Sequence, residues 1–457
     1  MLQTAIVERI IVIGGGVAGI NAAIAARKEN ENVKITLIDQ EEYVQYSRCG
    51  LPYLISEEIE DWKKLIKYDT NTLKNIFKLD PRLSTSVKKI DLPKRRIITV
   101  DSIGNERILE YTKLILTTGA IPIKPIIKGI NLTNIFEMRR LNDALKVKEI
   151  AEKGKKIVIA GGGLVSVETA EALTKKGVRV TMVFLEDEVL SMVFDEDIGK
   201  MVRKKLEGNG TEIISSSKIE QFYGIRRIEA VKADGQILPC DYLILATGVK
   251  PNTQLAKDAG IPVGKYEGII VNDKMETRIE GIYAAGDCVE TRNFITGENV
   301  PIQLATTAYR EGEVAGENAA GGNRRIPKMI SNVCAKVFGL EVASIGLTVQ
   351  DARRNGIEVY QSFVENIDKV EYFPGGKKTC TSLLFNEQNG KLIGAQFAGE
   401  RAATWGNFAA LAIIKGLNAE ELANFDISYS PSVENFWTGI TTAARKLIKM
   451  KEEKKKT

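Results

Sequence analysis

The 457-residue chain contains no histidine. That removes imidazole as general acid or base and takes away the commonest ligand of transition metals. Cysteine is scarce. Cys49, Cys240, Cys288, Cys334 and Cys380 are odd in number and widely spaced, with neither a C-x-x-C pair nor a zinc spacing. No apolar run reaches the roughly eighteen residues of a membrane helix. The longest uncharged stretch, Ile10 to Ala26, is interrupted by glycines. Arg9 is the one cation before it, a poor signal-peptide flank, so the cytoplasm is the expected compartment. There is no basic patch with interleaved aromatics, so no nucleic-acid partner is expected. The small net charge of +5 has a local source in Lys446 to Lys456, which reads as a solvated, frayed tail.

What is present is an ordinary globular balance, 44% hydrophobic and 27% charged, with length for several domains. The organising stretch is Ile10-Ile11-Val12-Ile13-Gly14-Gly15-Gly16-Val17-Ala18-Gly19. A β-branched run reads as a buried strand, and the Ala-rich segment Ile20 to Lys28 as a helix. A second apolar run, Val33 to Ile38, ends in Asp39. Each part of this G-x-G-x-x-G unit has a physical reason. Gly14 permits a tight turn, Gly16 lets a pyrophosphate approach the backbone, and Gly19 lets helix and strand pack closely. The helix N-terminus offers free N–H groups to phosphates, and Asp39 can accept from a ribose hydroxyl.

The unit recurs. Lys155 to Ala160 leads into Gly161-Gly162-Gly163-Leu164-Val165-Ser166, a helix through Lys175 and a strand Val178 to Phe184. Ser166 replaces the third glycine, and Phe184 stands where Asp39 stands in the first copy. The pairing points to two different dinucleotides. Leu114 to Ala120 and Leu243 to Val249 are two strand-then-Thr-Gly turns, each soon followed by proline, and read as crossings between domains. Gly281 to Asp287 is a strand ending in Gly-Asp, and a helix follows at about Ala305 to Ala320. Beyond Pro327 alternating runs and an Ala-rich helix, Ala402 to Lys415, suggest an α+β domain. The expected fold class is α/β: two Rossmann-like three-layer nucleotide-binding domains, the first discontinuous (1–118 and 249–326, enclosing 119–248), and a C-terminal α+β dimerisation domain at 327–457.

In this order of motifs the chain resembles the FAD- and NAD(P)-dependent pyridine nucleotide–disulfide oxidoreductase superfamily. The string Tyr46-Ser47-Arg48-Cys49-Gly50-Leu51-Pro52-Tyr53 narrows the resemblance. The positions five away from Cys49 are Val44 and Leu54, so the dithiol C-x-x-x-x-C is missing. C-G-L-P-Y is similar to the single-cysteine branch of coenzyme A-disulfide reductases, NADH oxidases and sulfur reductases. The resemblance implies FAD in the first unit, with Asp39 on its adenosine ribose and Asp287 on its ribityl chain. It implies NADH or NADPH in the second unit, and a homodimer in which the Ser428-Tyr429-Ser430-Pro431 segment reaches towards the partner's cysteine.

The implied catalytic residues are Cys49 as thiolate nucleophile and Tyr429, with Tyr53 as an alternative proton donor. The implied cofactor-binding residues are Gly14, Gly16, Val17, Ala18, Gly19, Asp39, Gln40, Ser47, Arg48, Thr118, Gly119, Gly248, Gly286, Asp287, Ala305 and Thr306, with Gly161, Gly163, Leu164, Val165, Glu168 and Phe184 in the second copy. The thiol needs a lowered pKa to act, and Arg48, a helix N-terminus or the flavin are the expected agents. The other four cysteines are expected in the core, and Arg27 and Lys28 are candidates for an anionic substrate. The expected activity is NAD(P)H-dependent reduction of coenzyme A disulfide or a related small disulfide, persulfide or polysulfide. The alternatives are electron transfer to O2 or a redox-sensing flavoprotein without turnover.

Overall fold

The computed structural model describes residues 8–456. Strand Arg9–Ile13 is buried from Ile10 onward and sits at the centre of a five-stranded parallel sheet. The order is 282–284, 113–116, 9–13, 34–38, 80–82. A β-branched run buried on both faces is what a parallel sheet between helices requires. The helix that follows, Val17–Glu29, starts inside the glycine motif, three residues before the expected Ile20, because Gly16 already serves as its N-cap. Gly14 has φ +109°, and a Cβ on Gly19 would come within 1.8 Å of the Gly14 carbonyl oxygen. These two glycines therefore answer to geometry that other residues cannot meet.

The second copy repeats the plan. Lys156–Ala160 is central in a parallel sheet ordered 212–214, 179–183, 156–160, 242–245, 135–137, and Leu164–Lys175 is the helix behind the glycines. The two Thr-Gly turns meet each other: Ala120–Pro122 pairs antiparallel with Val249–Pro251, forming a ribbon where the chain passes between the sheets in both directions.

Residues 332–398 form a five-stranded antiparallel sheet ordered 332–337, 340–346, 392–398, 378–386, 359–367. Helices Ala402–Lys415 and Gly439–Lys456 pack on it. Two expectations are corrected here. The lysine-rich segment from Lys446 continues the last helix to Lys456 rather than fraying, because Ile440, Ala443, Ala444 and Leu447 bury one face of that helix. Cys334 is exposed, not in the core: on strand Asn332–Val337 side chains alternate, and Val333 and Val337 take the inner face. Among the described residues no helix is long and apolar enough to cross a membrane, and no cluster of side chains suits a metal.

Candidate active site

The carboxyl ends of the first sheet open into a cavity of about 530 Å³. Its floor is the glycine motif. Nothing lies within 4 Å of a Cβ built on Gly16, so the backbone there is open to a ligand. Asp39 closes one end. Its carboxylate accepts from the Gly15 N–H and, at 2.7 Å, from the Glu41 N–H, and burial nevertheless raises its pKa. Asp287 closes the other end, at the tip of strand Ile282–Ala284. Val17, Ala18, Gln40, Ser47, Arg48, Cys49, Thr118, Gly119, Gly286 and Ala305 all line the same space.

Three expected members do not line it. Gly19 packs under the motif against Gly14 and Thr117, Gly248 stands beside Ile123, and Thr306 is exposed outside the cavity. Arg27 is also not free for an anion. Its guanidinium donates to the carbonyls of Phe77 at 3.2 Å, Lys78 at 3.0 Å and Glu31 at 2.5 Å.

Cys49 lies on a single 3-10 turn, Arg48–Gly50, that runs into the short helix Leu51–Ile55. The local string explains the placement. A Cβ on Gly50 would meet Leu65 at 2.4 Å, and Pro52 fits the first helical turn, where its missing N–H costs nothing. The thiol reaches solvent through the cavity, and all five cysteines are unpaired. Cys240, Cys288 and Cys380 are buried as expected.

The electrostatics differ from expectation. Burial, Glu168 and Asp287 push the Cys49 thiol up, and Arg139 pulls it down. Arg48, the neighbour in sequence, is committed elsewhere. It donates to Tyr46 Oη at 2.8 Å, to the Glu41 carboxylate at 3.0 Å and to the Arg139 carbonyl at 2.9 Å. Its role is a strut between the first unit and the segment that enters the second. Tyr46 completes the strut, donating to Glu41 at 2.6 Å and accepting from the Leu141 N–H at 3.2 Å. Arg139 was not singled out by sequence: it belongs to no glycine motif and lies far from Cys49 in the chain.

The second unit faces the same region. Gly161, Gly163, Leu164 and Val165 form its turn and first helical residues, and Gly161 has φ +131°. Glu168, on that helix, is pushed up to about 7 by burial and by Glu171. It also raises the Tyr53 hydroxyl after burial does. Phe184 is buried against Gly162. Tyr429 lies in the C-terminal segment, exposed, with its hydroxyl 3.1 Å from that of Tyr372. That contact raises the Tyr429 pKa. Phe436 packs edge-on against Tyr429 and Trp437 against Phe436. Tyr372 is a second phenol that sequence reading missed, since it sits alone in a loop without a motif.

Two parallel sheets, each with a glycine turn at its carboxyl edge, and a lone accessible thiol between them define a two-nucleotide redox protein. The chain belongs to the pyridine nucleotide-disulphide oxidoreductase family, which it matches over residues 8–312, with the family's dimerisation domain at residues 333–439. It is an NAD(P)H-dependent flavoprotein oxidoreductase with FAD as its cofactor. An NADH oxidase of Methanocaldococcus jannaschii is 36% identical over 96% of this chain and 99% of its own length. An NAD(P)H coenzyme A polysulfide/persulfide reductase of Pyrococcus horikoshii is 31% identical over 96% and 98%. Among solved structures, an NAD-dependent persulfide reductase from A. fulgidus superposes with a TM-score of 0.94 at 30% identity, over 97% of this chain and 84% of that one. Reduced CoADR-RHD of Bacillus anthracis superposes with a TM-score of 0.93 at 28% identity, over 98% and 81%.

Proposed function

We propose that the chain reduces a low-molecular-weight disulfide, persulfide or polysulfide with NAD(P)H, through Cys49 alone. The observation that carries this reading is the single accessible thiol on the cavity: Cys240, Cys288 and Cys380 are buried, and exposed Cys334, on strand Asn332–Val337, does not line it. The glycine turn at Gly14 to Gly19, Asp39, Thr118, Gly119 and Asp287 would hold FAD, the first unit being residues 1–118 and 249–326. The turn at Gly161 to Val165, in residues 119–248, would hold NAD(P)H. FAD, when bound, relays the two electrons of the nicotinamide to the sulfur site. The chain's own part is the sulfur chemistry. The Cys49 thiolate attacks one sulfur of the acceptor, forming a mixed disulfide and expelling the other half as a thiolate. The two electrons of one NAD(P)H then cleave that mixed disulfide, restore the Cys49 thiolate and release the second thiol. Without histidine, the protons come from Glu168, Tyr53 or the paired phenols Tyr372 and Tyr429 of a second copy docked through residues 327–457. Five unpaired cysteines suit a reducing compartment such as the cytoplasm.

One observation favours a second reading, electron transfer to O2: the M. jannaschii relative carries the name NADH oxidase. Rapid-mixing measurements of NAD(P)H oxidation, with and without O2, on the wild type and Cys49→Ser separate the two. Loss of disulfide and polysulfide reduction in the variant supports the first reading. A variant that keeps full reductase activity refutes it, and one that loses only O2 turnover favours the second.

A further inference from the structure

The two nucleotide units match hydrogen bond for hydrogen bond at one loop. After the second strand of each sheet, Asp39 N–H donates to Arg82 O at 3.0 Å, and Phe184 N–H donates to Ile214 O at 3.1 Å. Thr85 N–H returns to Asp39 O, and Ser217 N–H to Phe184 O, both at 2.9 Å. Ser84 N–H donates to Glu41 O at 3.1 Å, and Ser216 N–H to Glu186 O at 2.8 Å. Ser84 and Ser216 even share a left-handed backbone, at φ +49° and +50°. Gln45 N–H closes the first loop on Gly15 O at 2.9 Å, and Leu190 N–H closes the second on Gly162 O at 2.8 Å. Phe184 is therefore the structural counterpart of Asp39, and Glu186 that of Glu41.

The side chains diverge where the backbones agree. Asp39 lies against Gly15, its Oδ2 3.0 Å from a Cβ built there; the Phe184 ring lies against Gly162, its Cγ 2.8 Å from a Cβ built there. An aromatic ring fills the carboxylate's place and can accept nothing from a ribose. Glu41 is turned into the protein, held by Tyr46 and Arg48. The matching positions in the second loop are Ser191 and Val193, which supply neither a phenol nor a cation. Among the described residues no side-chain hydrogen bond or ion pair engages the Glu186 carboxylate, which is exposed while its carbonyl is pinned by Ser216. Its neighbour Asp187 is engaged by the Ser216 hydroxyl at 2.7 Å. Arg203, packed on the same loop, donates to Glu188 at 2.7 Å and to the Asp187 carbonyl at 2.9 Å.

We propose that Glu186 has taken over ribose recognition in the second unit from the strand-end position that Phe184 closes, and that its carboxylate makes the chain select NADH over NADPH. The 2′-hydroxyl of NADH donates to Glu186; a 2′-phosphate at the same place meets the like charge of that carboxylate.

The test is anaerobic flavin reduction of the FAD-loaded enzyme by NADH or NADPH, with no acceptor present, so that its outcome is independent of the acceptor proposed for Cys49. The wild type is expected to half-saturate with NADH at a concentration about tenfold below that for NADPH. Glu186→Gln is expected to raise the NADH value about five- to tenfold with the limiting rate unchanged, and Glu186→Lys to reverse the preference. Asp187→Asn is expected to leave NADH binding within about twofold, as fits a carboxylate already engaged. Equal use of both nucleotides by the wild type, an unchanged NADH response in Glu186→Gln, or a loss that follows Asp187→Asn instead, overturns the proposal.

Discussion

The Arg139 guanidinium lies 2.8 Å from the Asp287 carboxylate, an ion pair that ties the segment entering the second nucleotide unit to the strand end of the first. Both residues line the cavity beside Cys49, and they act on its thiol with opposite sign. Removing the cation leaves Asp287 uncompensated and takes away the charge that favours the thiolate. Arg139→Gln is therefore expected to raise the Cys49 pKa further, and Arg139→Lys to recover most of the change. The measurement is the alkylation rate of the Cys49 peptide against pH, followed by mass so that exposed Cys334 does not contribute. An unmoved profile would falsify the role given to Arg139.

Glu168 acts on the same thiol from the other side. With its carboxyl pushed up to about 7, Glu168 is mostly neutral at pH 6 and mostly charged at pH 8, so it carries its charge before the thiol, itself pushed up, ionises. Two neighbouring groups that both become negative oppose one another. Glu168→Gln is expected to shift the Cys49 alkylation profile to lower pH. It also removes a step near pH 7 from any rate that depends on this carboxyl. A profile displaced to higher pH would contradict the sign of the interaction.

Much of this was legible in the chain because backbone chemistry dictates it. Gly14, Gly19 and Gly161 are glycines for steric reasons that any sequence must obey, and the strands between them are continuous apolar runs because both faces are covered. Cys49 was readable for a different reason, the likeness of its C-G-L-P-Y string to the single-cysteine branch; that a Cβ on Gly50 would meet Leu65 at 2.4 Å is visible only in the structure. The failures came from side chains whose partners are distant in sequence. Arg48 looked like the natural companion of Cys49, but Glu41, Tyr46 and the Arg139 carbonyl claim it. Tyr372 meets Tyr429 only because two loops of the C-terminal unit converge. Cys334 was misplaced because an alternating strand has two faces and composition does not say which is inward.

Glu311 gives a prediction for stability. It is almost fully buried on helix Ala305–Ala319, accepts from the Gly286 N–H at 2.7 Å, and burial pushes its pKa up to about 8. Unfolded, the carboxyl releases its proton near the ordinary value of 4.5. Between these limits the folded protein holds one proton more than the unfolded chain, so stability falls as pH rises through that window. Glu311→Gln keeps an acceptor for Gly286 and cannot ionise. Its stability relative to the wild type is expected to climb by about 1.4 kcal/mol per pH unit across the window, and to level off above pH 8. Thermal midpoints of the FAD-loaded proteins at a fixed scan rate, at intervals from pH 5 to pH 9, check the trend. Parallel curves would show that Glu311 does not keep its proton.

The same helix carries the last prediction, which concerns how closely two helices must approach to shape the floor of the cavity. Helix Ala305–Ala319 packs on helix Val17–Glu29 through Gly312 and Gly316, one turn apart on the contact face. A Cβ on Gly312 would lie 2.3 Å from the Ala18 carbonyl oxygen, and one on Gly316 would lie 2.0 Å from that of Ala22. The obstacles are backbone atoms, which cannot turn aside as a side chain would, so either methyl forces the helices apart. The two positions differ in what that movement disturbs. Gly312 presses on Ala18, inside the glycine turn that lines the cavity, whereas Gly316 presses one turn further along. Both alanine variants are expected to lose about 2 to 4 kcal/mol of stability. Gly312→Ala is expected to lose FAD more readily as well, because its methyl displaces the turn itself. Flavin content per protein after gel filtration, set beside the thermal midpoint, distinguishes the two effects. Equal flavin retention at equal destabilisation would mean that the helix pair supports the fold without setting the shape of the site.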